Sequence, residues 1–138
     1  MDREVVEQKL ESLRRCLLRM ETKCPTDAAT LVADIDLQDI ISLNLSRAVQ
    51  ISVDIGAHLI AGMEVPPPDT MGQTFDVLAN LKIITPEIAN RMKKAVGFRN
   101  IAVHSYEAID WQIAHAIATN HLNDFAAFAA AVVESTKR

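Results

Sequence analysis

Aromatic side chains are scarce in this 138-residue sequence: four phenylalanines, one tryptophan and one tyrosine, Tyr106. Any chemistry that needs a phenol therefore falls on Tyr106. Four glycines and no alternating apolar–polar runs leave little material for hairpins, so strands are not expected. Two cysteines, Cys16 and Cys24, are too few and too sparsely placed for a disulfide framework, form no CxxC pair, and fit a reducing, cytoplasmic compartment. No window approaches the roughly 18 uncharged apolar residues that a membrane span needs. The opening "MDREVVEQKLESLRR" is charged and amphipathic, which argues against a signal peptide. Basic charge is not in excess either. Fourteen Lys and Arg against eighteen Asp and Glu give a net charge of −4, so any contact with a polyanion has to be local.

What is abundant is helical periodicity. Hydrophobic residues make up 49% of the chain, enough for the core of one ordinary domain spanning residues 1–138. Val6, Leu10, Leu13, Leu17 and Met20 form one stripe at spacings of three and four. "CPTDAATLV" interrupts it, because Pro25 lacks an amide donor and disfavours helix at Cys24. A second stripe runs through Leu37, Ile41, Asn44, Ala48, Ile51, Ile55 and His58. Ile40, Leu45 and Leu59 widen it, so that helix packs on more than one neighbour. Gly62 and "VPPPDT" end it, and "TMGQTFDVLANLKII" reads as a shorter helix. Thr85 and Pro86 look like an N-cap followed by proline at the first helical position, opening a helix through "EIANRMKKAVGFRN". Asp110 caps a last helix, "WQIAHAIATNHLNDFAAFAAAVVE". The expected fold is all-α, an antiparallel bundle of four to five helices.

The polar residues decide function, since bundles host many. His115 and His121 are six apart, not at the i, i+4 spacing of a helical metal pair, and no carboxylate cluster accompanies them. No metal site and no cofactor are expected. Asn44 and His58 interrupt an apolar stripe. Asp54 and His58, at i, i+4, can hydrogen-bond on one face, either as a network fixing helix register or as support behind an active cleft. Arg91, Lys93, Lys94 and Arg99 concentrate positive charge within nine residues. Lys93 and Lys94 either solvate a helix face or, with Arg91, contact a nucleic acid.

Residues 97–106, "GFRNIAVHSY", add Arg99, Asn100, His104 and Tyr106 to that basic stretch. At about 100° per residue, Arg99 and His104 lie roughly 140° apart on an ideal helix, Asn100 and His104 about 40°, and Arg99 and Tyr106 within roughly 20°. One straight helix cannot aim Arg99 and His104 at one small group. Either the backbone breaks, with Gly97 as the candidate position, or two copies of the motif converge across a two-fold interface.

"MKKAVGFRNIAVHSY" resembles the R-x4-6-H region of the HEPN superfamily. The form Arg99-Asn100-x3-His104-x-Tyr106 resembles that of the HepT toxins of HEPN/MNT toxin–antitoxin pairs. "NLSRAVQISVDIGAHLI" and "FDVLANLKIIT" are similar to helices of the same family, so the resemblance covers most of the chain. It implies a metal-independent ribonuclease acting as a homodimer, with Arg99 and His104 catalytic and Asn100 supporting. It further implies silencing by a cognate MNT-type nucleotidyltransferase antitoxin that transfers AMP to Tyr106. The residue types suit this. RNA supplies its own 2′-hydroxyl nucleophile. Imidazole is a base near neutral pH, and a guanidinium fork suits the charge of a phosphorane. The competing reading is a non-catalytic HEPN module that binds nucleotides or a partner protein. The presence of both Arg99 and His104 favours the enzyme.

Overall fold

The computed structural model describes residues 2–137. Among them are seven α-helices and no strand: α1 (Arg3–Lys23), α2 (Ala28–Ala33), α3 (Ile35–Ala61), α4 (Met71–Asn80), α5 (Pro86–His104), α6 (Trp111–Asn120) and α7 (Leu122–Thr136). A 3₁₀ turn, Tyr106–Ala108, links α5 to α6.

Each expected helix forms, and local chemistry starts most of them. Side-chain oxygens of Asp2, Asp27, Asp34, Thr70, Thr85 and Asp110 accept hydrogen bonds from amides of the first turns that have no partner within the helix. Pro86 occupies the start of α5, as its fixed φ and missing amide allow. The helix count departs from expectation in two places. "CPTDAATLV" interrupts α1 as expected, yet Asp27 accepts from the Thr30 amide and hydroxyl and caps the short α2 within it. The segment expected as one last helix is two, because the backbone leaves helical geometry at His121 (φ −120°, ψ 9°).

The 27-residue α3 is the axis of the bundle and packs against every other α-helix. Its closest companion is α1, which runs antiparallel to it: the Asp2 amide meets His58 at one end, and Cys16 lies near Arg47 further along. The expected stripes face inward. Val6, Leu13 and Met20 of α1 and Ile41, Leu45, Ala48 and Ile55 of α3 are buried, while Leu10, Leu17, Leu37 and Ile51 pack at the margin. The sparse aromatics serve the core, with Phe75 of α4 and Phe128 of α7 meeting edge to face at 5.6 Å. Helices α3 and α4 approach so closely at Gly56 that a Cβ there would stand 2.6 Å from Thr74 Cγ2 and 3.0 Å from Leu78 Cδ1.

The site rests on α5. Its inward face contributes Ala89, Met92, Val96, Phe98 and Ala102 to the core. Gly97 does not break it. The helix continues to His104, and Gly97 faces open space on the exposed side. The chain turns at Ser105 (φ −147°, ψ 56°), so Tyr106 leaves the helix and does not share the face of Arg99.

Candidate active site

Arg99 reaches from α5 across to α3. Its Nη2 donates to Gln50 Oε1 at 3.3 Å, and its Nη1 donates to Asn100 Oδ1 at 3.4 Å. Nε is buried and has no hydrogen-bond partner. Both partners are neutral amides at long distance, and among the described residues no carboxylate pairs with this guanidinium. Arg91 differs, being paired with Glu87 at 2.7 Å and Asp124 at 3.5 Å, as does Lys93, paired with Asp76 at 3.1 Å. Gln50 in turn donates from Nε2 to Asp54 Oδ1 at 3.0 Å, so Asp54 supports Arg99 through one intermediary.

His104 is the last residue of α5 and is exposed. The continuous helix leaves Arg99 and His104 roughly 140° apart around its axis. Beside them Ile101 and Val103 are 44% and 50% exposed.

The phenol of Tyr106 donates to Asp39 Oδ1 of α3 at 2.6 Å, and its ring meets Trp111 edge to face at 5.7 Å. Partial burial and the adjacent carboxylate push the phenol up to about 12. Asp39 and Gln50 are eleven residues apart on α3, so the two contacts lie roughly 16 Å apart along it.

The expected pair Asp54–His58 does not form. Asp54 is taken by Gln50, and His58 Nε2 accepts from the Asp2 amide at 3.1 Å, at the end of α3 remote from Arg99. Register in α3 explains this: Gln50 and His58 each lie one turn from Asp54, and only Gln50 borders α5. Asn44 is buried and donates to the Ile40 carbonyl at 2.8 Å, a contact within its own helix. His115 Nε2 meets the Pro25 carbonyl at 2.8 Å, and His121 Nδ1 lies 3.5 Å from Asp124 Oδ2. Neither hydrogen-bonds to Arg99, Asn100, His104 or Tyr106. Burial raises both cysteine thiols above their ordinary range, which keeps them unreactive.

A groove of about 710 Å³ opens between α5, α6 and α7. Phe98, Ile101, Ile113 and Phe125 form its apolar wall, with Arg91, Lys94 and His121 at its edges. Of the three basic residues proposed for a nucleic acid, Lys93 does not line it.

Gln50 and Asp39 are the residues that sequence reading missed. Gln50 carried a faint signal, its i, i+4 relation to Asp54. Asp39 carried none, being an ordinary helical aspartate 67 positions from its partner.

The structure is an all-helical bundle with an arginine that pairs with no carboxylate among the described residues, an exposed imidazole five residues on and a tethered tyrosine just beyond, the arrangement that the HEPN resemblance implies. Residues 6–132 match the family described as ribonuclease HepT-like. The chain belongs to that family. It is 31% identical over 125 residues to the mRNA nuclease HepT of Shewanella oneidensis, covering 91% of this chain and 93% of that protein. It is 26% identical over 106 residues to the tRNA nuclease HepT of Aphanizomenon flos-aquae, covering 77% and 72%. A tri-AMPylated HEPN toxin of Shewanella oneidensis, solved in complex with its MNT antitoxin, superposes with a TM-score of 0.89 at 30% identity, covering 97% of this chain and 99% of that one.

Proposed function

We propose that this chain is the ribonuclease toxin of a type II toxin–antitoxin pair. Two copies form its RNA-cleaving cleft, and a cognate MNT-type nucleotidyltransferase silences it by placing AMP on Tyr106. The observation that carries the reading is the state of Arg99: a part-buried guanidinium in a HepT-like chain, held by two neutral amides and paired with no carboxylate among the described residues. Such a fork suits a phosphate and its transition state. The names of the relatives agree: two are RNA nucleases, and one is an AMPylated toxin held by its antitoxin.

The chemistry follows from the residue types. His104 takes the proton of the RNA 2′-hydroxyl as that oxygen attacks the adjacent phosphorus. The bond to the 5′-oxygen breaks, and a 2′,3′-cyclic phosphate remains. The leaving oxygen receives a proton from the second copy's imidazole. Arg99 balances the phosphorane charge, and Asn100 and Gln50 fix its fork. Base, acid and charge stabiliser are all side chains, so the reaction runs without a metal. The straight α5 supports the homodimer, since Arg99 and His104 of one copy diverge and a two-fold axis lets the two motifs face one cleft. Exposed Ile101 and Val103 supply apolar surface for that contact. AMP on Tyr106 adds bulk and negative charge against RNA. No helix among the described residues is long and apolar enough to cross a membrane, and the expected place of action is the cytoplasm.

Expression without the partner is expected to arrest growth, and Arg99→Ala or His104→Ala to abolish the arrest while the protein sediments as a dimer. Folded variants that remain fully toxic refute the assignment of the site.

A further inference from the structure

The RNA chemistry leaves one contact unused, the hydrogen bond from Tyr106 to Asp39. It joins the 3₁₀ turn after α5 to α3 at 2.6 Å, the shortest link between the motif and the rest of the bundle among the described residues. Trp111 meets the ring edge to face at 5.7 Å, so the oxygen is aimed at the carboxylate. Tyr106 is still 40% exposed, so the turn that carries it lies open to a partner.

A phenol accepts a nucleotidyl group only if its proton leaves. Ionisation beforehand is strongly opposed here, because burial and the Asp39 charge push the phenol up to about 12. At neutral pH about one molecule in 10⁵ holds phenolate. Asp39 of α3 is the one charged group whose field moves this phenol, and Glu107, the acid of the turn itself, makes no hydrogen bond to it. The proton must therefore depart as the new bond forms, to an acceptor already in contact.

We propose that Asp39 is that acceptor, the positioning and proton-accepting group supplied by the target chain for AMP transfer to Tyr106. The proposal rests on the reading above that Tyr106 is the modified residue. In the step, a lone pair of the phenol oxygen attacks the α-phosphorus of ATP. The bond from that phosphorus to the bridging oxygen breaks, and pyrophosphate leaves with the electron pair. The phenol proton passes to Asp39 Oδ1 and from there to solvent. The product is an aryl phosphodiester on Tyr106.

The test uses the full chain with its cognate nucleotidyltransferase and ATP, following intact mass and pyrophosphate release between about pH 6 and 9. Asp39→Asn keeps the shape and an acceptor oxygen but cannot take the proton. Its modification is expected to slow by roughly 10²- to 10³-fold relative to the unmutated chain. The deficit should shrink about tenfold per pH unit as phenolate replaces the missing base. Taking the ratio of the two chains at each pH cancels every titration that belongs to the transferase. Equal or faster modification of the Asn variant overturns the proposal and makes Asp39 a mere restraint. A deficit that stays constant with pH overturns the proton-accepting role. Because Tyr106 is the only tyrosine, near-ultraviolet titration reads this phenol alone. Asp39→Asn should move its midpoint down from about 12, and an unmoved midpoint also overturns the proposal. Tyr106→Phe gaining the same mass increase would instead sink the underlying reading, and the proposal with it.

Discussion

Replacing Gln50 by glutamate keeps the shape of the side chain and puts a carboxylate where a neutral amide now meets Arg99 at 3.3 Å. Two unit charges at such a distance attract by about 5 kcal/mol at an effective dielectric of 20. Residual solvent and the desolvation of the new carboxylate reduce this to about 2–3 kcal/mol for a part-buried pair. A phosphorane must then compete with that carboxylate for the guanidinium, and each 1.4 kcal/mol is tenfold in rate. Gln50→Glu is therefore expected to lower kcat/KM by roughly 30- to 150-fold. Gln50→Leu deletes the bonds to Arg99 and Asp54 without adding charge, and should lose no more than about fivefold. The assay is single-turnover cleavage of a quenched fluorescent RNA oligonucleotide, with circular dichroism to confirm the fold. The glutamate deficit should survive added salt, because the pair is shielded from mobile ions. A Glu variant as fast as the unmutated chain would refute the claim that the Arg99 charge acts on the scissile phosphate. Equal losses in Glu and Leu would reduce the role of Gln50 to alignment.

Three further outcomes are expected. Gly56→Ala drives a methyl to 2.6 Å from Thr74 Cγ2; overpacking of about 1–3 kcal/mol should outweigh the ~1 kcal/mol gained in helix propensity and lower Tm by several degrees. Adding Thr74→Ser, which removes the opposing methyl, should restore part of the loss; an unchanged Tm in the single variant would show that α3 and α4 stand further apart. Cleavage should persist in excess EDTA and leave 2′,3′-cyclic phosphate ends, whereas 3′-hydroxyl products made only with added Mg²⁺ would require a different mechanism. The Tyr106 phenol is held up at about 12 in the folded state against an ordinary 10. The folded chain thus keeps its proton longer, so this contribution to stability is complete below about pH 10 and is lost as pH rises toward 12. Denaturant midpoints should fall over that window, and Tyr106→Phe should lack this part of the fall.

Local chemistry was legible in the sequence, and tertiary pairing was not. Thr85, Pro86 and Asp110 act where they were read, because a cap needs only its own next three residues. The inward stripes of α1 and α3 were readable for the same reason. The break at His121 was not, since "ATNHLND" contains neither glycine nor proline and the turn comes from a histidine in non-helical geometry. Arg99, Asn100, His104 and Tyr106 stood out as a cluster of reactive types. Their partners Gln50 and Asp39 lie 49 and 67 positions away. Such contacts come from how α3 and α5 dock, which no local window encodes. Asp54 and His58 make the same point in reverse, since helical spacing allowed their bond and packing gave each a different partner.

Helix α5 does two jobs at once: one face fills the centre of the bundle, and the rest of its circumference carries Arg99 and His104 on diverging sides. Opening it locally would expose Met92, Val96 and Phe98 together, at close to the free energy of global unfolding. Arg99 and His104 are therefore expected to lose their arrangement only when the domain unfolds as a whole. Restraint has to come from outside, on a segment that can change without disturbing the interior. The turn Tyr106–Ala108 meets that requirement, for it buries none of its residues. A handle fastened there can be altered chemically while the bundle beneath it stays as it was.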